Sequence, residues 1–167
     1  MLSKNSIADW FRGLQNNICT ALENADGKGL FIKDSWTREE GGGGLTCVIQ
    51  NGNILEKGAA NFSEVHGRLP EKMQHLFGVE QCDFFATGVS LIMHPVSPMV
   101  PIIHMNVRYF ETSADKKWFG GGIDLTPHYI NRNDANYFHG ELKKACDPFD
   151  EGYYPRFKKW ADDYFFI

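Results

Sequence analysis

Gly88-Val-Ser90-Leu-Ile-Met-His94, Pro101-Ile-Ile-His104-Met-Asn106-Val-Arg108-Tyr-Phe-Glu111 and Trp118-Phe-Gly-Gly-Gly-Ile-Asp124-Leu-Thr126-Pro127 are three runs within one stretch, Gly88 to Thr126, on which the reading of the chain turns. In an extended strand successive side chains point to opposite faces. Read so, the even positions carry Ser90, His94, His104, Asn106, Arg108, Asp124 and Thr126, and the odd ones Val89, Leu91, Met93, Ile103, Met105, Val107, Tyr109, Phe119, Ile123 and Leu125. If the runs pair in register, one face gathers imidazole, amide, guanidinium and carboxylate while the other meets a core. An ordinary half-exposed sheet shows mostly Lys, Glu and Thr toward water. His, Asn, Arg and Asp among glycines are the layout of a site.

A length of 167 residues fits a single domain, 1–167, large enough to bury a core. Hydrophobic residues at 43% and charged residues at 23% are ordinary for a globular protein, but aromatic residues reach 14%. That content suits a core of large plates or a pocket for a flat, apolar ligand. The net charge of −4 and the lack of any Lys/Arg block argue against a nucleic-acid partner. Cys19, Cys47, Cys82 and Cys146 have neither C-x-x-C spacing nor the density of a secreted framework, which fits reduced thiols. No apolar run approaches the ~20 residues of a membrane span, and the first residues carry neither a signal nor a transit pattern. The expectation is a cytoplasmic protein with no membrane span.

Outward from the central stretch, Ser6 with Asp9 three residues later reads as a helix start. Ile7, Trp10, Phe11, Leu14, Ile18 and Leu22 follow at helical spacing, with Trp10 and Phe11 expected in the core. Asp26-Gly27-Lys28-Gly29 ends that helix. Gly41 to Gly44 lack the Lys-Ser/Thr of a phosphate loop and instead suit close backbone approach or a flexible entry to Leu45-Thr46-Cys47-Val48-Ile49-Gln50. Asn51-Gly52 predicts a type I′ hairpin turn. Gly58 to His75 has no sustained period and reads as an ordered loop, with a helical turn or two in Pro70 to Gly78. Beyond Pro127 the period becomes helical. Asn131 or Asn133 caps a helix burying Ala135, Phe138, Leu142 and Ala145, and Pro155 starts another that turns Phe157, Trp160, Ala161 and Tyr164 inward. The apolar end Tyr164-Phe165-Phe166-Ile167 resembles the start of a further strand, as if the chain were the N-terminal portion of something longer.

Gly88-Val-Ser90, His94-Pro95, His104 through Glu111, Trp118 through Pro127 and Tyr154-Pro-Arg-Phe-Lys-Lys-Trp160-Ala-Asp-Asp-Tyr164 together closely resemble the oxygen-dependent coproporphyrinogen III oxidase family, from about the first helix to the last residue. The resemblance implies an α+β fold: a large, flat antiparallel β-sheet flanked by helices on both faces, here incomplete because the family's later motifs are not in this chain. It implies oxidative decarboxylation of two propionate arms of coproporphyrinogen III to vinyl groups, giving protoporphyrinogen IX in haem biosynthesis. O2 is the co-substrate, and the partner is a second copy of the chain.

Such a substrate wants a carboxylate at the ring centre and a guanidinium at the rim. Asp124 suits pyrrole N–H groups and Arg108 suits a propionate. By resemblance His104 is the proton donor, and Ser90, Asn106, Val107 and Arg108 are substrate contacts. No cofactor is strictly implied by the resemblance, which leaves open a divalent metal such as Mn held by His94, His104 and His139. Residue by residue the plainer readings also stand: Asp124 as a turn cap, Arg108 in a surface ion pair, and His66 and His139 as structural histidines.

Overall fold

The computed structural model describes residues 3–165. The chain's contacts group it into two compact units, Met1–His128 and Tyr129–Ile167. In the first unit α1 (Lys4–Asp26) precedes β1 (Ile32–Thr37), β2 (Gly42–Gln50) and β3 (Leu55–Arg68). A short α2 (Glu71–Phe77) follows, then β4 (Asp83–Pro95), β5 (Ile102–Thr112) and β6 (Lys117–Thr126). The six strands form one antiparallel sheet in sequence order, a continuous meander.

The alternation read from Gly88 to Thr126 holds. Val89, Met93 and Tyr109 are buried, and Leu91, Ile103 and Val107 pack beside them. α1 covers this face. Ile7, Ala8 and Phe11 meet Phe62, Phe85, Val89 and Tyr109, and Cys19 continues the contact with Phe31, Cys47, Ile49, Leu55, Ala60 and Met93. The buried Gln15 of α1 donates its amide N–H groups to the carbonyls of Leu45 and Ala60, at 2.7 and 2.8 Å, so both donors are met inside the interface. Burial and the neighbouring Cys47 push the Cys19 thiol up to about 12, and all four cysteines are free. The covering helix does not reach β6, where Phe119 is 64% exposed although it occupies a core-type position.

Several local expectations are corrected. The cap of α1 is Ser3, whose hydroxyl accepts from the Ser6 N–H at 3.1 Å, and not Ser6 with Asp9. Trp10 is 64% exposed, because the buried stripe runs through Ile7, Phe11, Gln15 and Cys19 and leaves position 10 on its outer side. Gly58 to Arg68 is not a loop but most of β3, the 14-residue strand between β2 and β4. Its small and polar residues blur the period, although Ala60 and Phe62 are buried under α1 and the alternate positions are half-buried; pairing on both edges, a tertiary matter, decides the strand. Pro70 to Gly78 does contain one short helix, closed by Gly78 at φ 64°.

The β2–β3 hairpin occurs where Asn51-Gly52 predicts it, but it is longer than a two-residue turn. The ladder closes at Gln50↔Lys57, Asn51 has φ 56°, and Gly52 is not left-handed. The reason is Asp26. Its buried carboxylate accepts backbone N–H groups from Gly29 (2.7 Å), Asn53 (2.9 Å), Ile54 (2.8 Å) and Leu55 (2.9 Å), which folds the hairpin loop around the C-terminus of α1. Gly52 is glycine for close approach, since a Cβ there would run into that carboxylate. The N–H donors of Leu55 and Gly29, followed by those of Asn53 and Ile54, hold the Asp26 carboxyl far below the usual carboxylate range.

In the second unit α3 (Arg132–Cys146) is capped by Asn131, which accepts from the Asn133 N–H at 2.9 Å. α4 (Tyr153–Phe165) starts two residues before Pro155, so the proline lies in the first turn, where no N–H partner is lost. Within this unit His139 meets Tyr154 edge-on, and Lys158–Asp162 and Lys159–Asp163 form i,i+4 pairs. The apolar stripes expected here are not buried. Ala135 and Ala145 are exposed, Phe138 and Leu142 half-buried, and Phe157, Ala161, Trp160 and Tyr164 exposed, because two helices alone offer too little surface to cover them. Tyr164 and Phe165 end α4, whereas Phe166 and Ile167 lie outside the described residues.

Replacing Asp26 with Ala strands several inward N–H groups and should lower the thermal midpoint of the 167-residue chain by roughly 5–15 °C, and D26N by a smaller amount in the same direction. A carboxyl held low in the fold stabilises fully above its unfolded value of about 4 and loses that contribution as pH falls toward the folded value. The gap between wild type and D26N in chemical denaturation should therefore be widest near neutrality and narrow below about pH 4. An equal gap at pH 7 and pH 2 would remove the carboxylate from this role.

Candidate functional site

Across the sheet the register places the site side chains in rows. His104 pairs with Asp124 on β6 and Ile92 on β4, Asn106 with Gly122 and Ser90, and Arg108 with Gly120 and Gly88. Paired residues share a face, so Ser90, His104, Asn106, Arg108, Asp124 and Thr126 all lie on the side away from α1. His94 shares this face, one step along β4 from Ile92 and opposite Lys57 of β3. Val107, expected among the substrate contacts, does not. The alternation turns it to the α1 side, where it packs against the core, so only its backbone belongs to the site strand.

His104 Nδ1 and Asp124 Oδ1 are 2.9 Å apart, with side chains 40% and 27% exposed. Since an ionised carboxylate only accepts, Nδ1 carries the hydrogen and Nε2 is the ring nitrogen left for chemistry. Thr126, two residues along β6, donates its hydroxyl to the same Oδ1 at 3.1 Å. Arg108 Nε donates to Asn106 Oδ1 at 3.0 Å, and among the described residues its terminal nitrogens make no hydrogen bond. That leaves the two-pronged end of the guanidinium for a carboxylate.

Between these polar groups the floor is bare. At Gly122 an added Cβ would meet nothing within 4 Å, and at Gly120 only the Trp118 ring at 3.8 Å. At Gly121, on the opposite face, a Cβ would run into the β5 backbone at Asn106 and Val107. Gly121 therefore serves packing, while Gly120 and Gly122 leave open backbone beside Arg108 and Asn106. Toward the far end of the same face, Phe110 stacks on Trp118 (4.7 Å between centroids) and on Phe84 (5.8 Å). Phe77 of α2 leans on Phe110 and Trp118. α2 thus covers part of the site face and α1 the core face, which gives the sheet helices on both sides.

The sequence reading missed Asn61. In β3 it pairs with Ser90 and with Thr46 of β2, extending the polar row Asn106–Ser90 across two more strands. The available signal was the period-2 run Ala59, Asn61, Ser63, Val65, overlooked because the segment reads as a loop. His66, also in that segment, lies on the α1 side of β3, against Gly41.

His139 belongs to the second unit. Burial and then Lys158 draw its imidazole below the usual value, and its Nδ1 is buried without a hydrogen-bond partner among the described residues. Among the described residues no three His, Cys, Asp or Glu side chains gather as metal ligands do, and no helix is long and apolar enough to cross a membrane.

A family model described as "Coproporphyrinogen III oxidase" matches residues 6–167. The chain is 48% identical over 166 residues to the rat protein named "Oxygen-dependent coproporphyrinogen-III oxidase, mitochondrial", covering 92% of this chain and 38% of that one. It is 44% identical over 171 residues to an Arabidopsis thaliana protein named "Coproporphyrinogen-III oxidase 1, chloroplastic", covering 93% and 44%. With a Prochlorococcus marinus protein named "Oxygen-dependent coproporphyrinogen-III oxidase" the identity is 47% over 156 residues, covering 92% and 45%. The chain thus spans less than half the length of these curated relatives. With the matched region running from the first turn of α1 through all six strands and both helices of the second unit, the chain belongs to the coproporphyrinogen III oxidase family.

Proposed function

We propose that this chain carries the first-half site of an oxygen-dependent oxidative decarboxylation that converts two propionate groups of coproporphyrinogen III to vinyl groups, giving protoporphyrinogen IX in haem biosynthesis. The observation that carries the reading is the His104–Asp124 contact at 2.9 Å on the same face as Arg108, in a chain of this family. Asp124 keeps Oδ2 for the inward N–H groups of the tetrapyrrole. An ionised acceptor there favours loss of a pyrrole proton and hence an electron-rich ring that meets O2. Arg108 grips a propionate at the rim, and Ser90 and Asn106 lie in the adjoining row. Each arm loses CO2, one proton and two electrons in becoming a vinyl group, and O2 takes up the electrons. His104 Nε2 is the group placed to exchange the proton. The bare backbone at Gly120 and Gly122 suits a broad, flat ring.

A second reading is favoured by the share of the relatives that the chain spans: a fragment that binds the tetrapyrrole, or is merely structural, and does not turn it over. A divalent metal such as Mn on His94, His104 and His139, a homodimeric assembly and a cytoplasmic setting rest on the resemblance and on composition. No step above passes through a metal.

Titrating the 167-residue chain anaerobically with coproporphyrinogen III and then admitting O2 separates the readings. Uptake of O2 with two CO2 per substrate is expected for the first, and binding without CO2 for the second. R108A should weaken binding by about 10- to 100-fold, the value of a charge-assisted two-point contact, with R108K in between. D124A should abolish turnover and weaken binding. Full turnover in D124A, or no binding by the unaltered chain, would end the site assignment.

A further inference from the structure

We infer that Thr126 is a positioning residue that fixes the rotation of the Asp124 carboxylate, and with it the place of the oxygen left free for the substrate. The inference rests on the site reading above and deepens it. A carboxylate rotates easily about its last bond, and its two oxygens are equivalent unless neighbours distinguish them. Here two donors from different places meet one oxygen. His104 reaches Asp124 Oδ1 from β5 at 2.9 Å, and Thr126 reaches the same Oδ1 along β6 at 3.1 Å. Among the described residues Oδ2 has no hydrogen-bond partner. The carboxylate is therefore held at Oδ1 from two directions, while Oδ2 keeps its lone pairs free.

The placement follows from the strand. Residues two apart on β6 share a face, so a hydroxyl at 126 lies beside the carboxylate at 124, and Asp124 sits opposite His104 in the ladder. With the Thr126 hydroxyl removed, the carboxylate can pivot about the single His104 contact, so its free oxygen no longer stands in one fixed place. Thr126 is itself exposed, so the hydroxyl contributes little to the fold and its effect should fall on the ligand.

The test is a double-mutant cycle on the 167-residue chain, read by anaerobic titration with coproporphyrinogen III and by thermal unfolding. T126V, close in shape but without the hydroxyl, should weaken binding about 3- to 10-fold, the usual value of one hydrogen bond, while the unfolding midpoint stays within about 2 °C. T126S, which restores the donor, should bind within about twofold of wild type. In a D124A background T126V should change nothing further, because Thr126 acts through the carboxylate. Binding unchanged in T126V, T126S as weak as T126V, or an undiminished T126V effect on top of D124A each overturns the positioning role while leaving the site intact. Failure of the unaltered chain to bind instead overturns the site reading itself, and this inference with it.

Discussion

The antiparallel register of β4, β5 and β6 is the constraint from which the site follows. A slip of one residue would turn His104, Arg108 and Asp124 toward α1 and bring Val107, Met105 and Ile123 out to face the ligand side. What prevents the slip is the cost of exposing Val89, Met93 and Tyr109, all buried under or beside α1, and of bringing charged groups into that core. Gly121 adds a steric pin, since the β5 backbone passes too close for any side chain at that position.

α1 can hold that register only if it stays fastened to the sheet, and two polar contacts inside the interface do this. Gln15 ties the middle of the helix to carbonyls of β2 and β3, and Asp26 gathers the hairpin loop around the helix's end. Both are buried polar groups hydrogen-bonded across the interface, so they orient the helix as well as stabilise it. Tyr109 shows the same economy at the sheet's other end. Its hydroxyl donates to Glu111 at 2.6 Å, and burial followed by that carboxylate pushes the phenol up to about 12, so it remains a neutral donor.

The ligand face is built on the opposite logic. Its groups are half-exposed, and each keeps one end engaged and the other free: Arg108 is held at Nε and open at its fork, His104 is held at Nδ1 and open at Nε2, and Asp124 is held at Oδ1 and open at Oδ2. Strand geometry supplies this economically, because a neighbour two residues along or directly across is always within reach of a side chain's near end. The stacked Phe84, Phe110 and Trp118 close the face on the α2 side with apolar plates, and the glycines between leave it level.

Where local chemistry alone dictates the outcome, the sequence by itself determined it. The polar and apolar alternation from Gly88 to Thr126, the end of α1 at Asp26-Gly27 and a helix cap at Asn131 or Asn133 all express the period-2 or helical rule of a few neighbouring residues. The family motifs, being long and local, were legible for the same reason. Only the tertiary structure decided that Gly58 to Arg68 is a central strand, that Asn61 joins the polar row, that Trp10 faces water and Val107 the core, and that Asp26 reshapes the Asn51-Gly52 turn. Each of these depends on partners in other elements, whose contacts outweigh local preferences of a few tenths of a kcal/mol per residue.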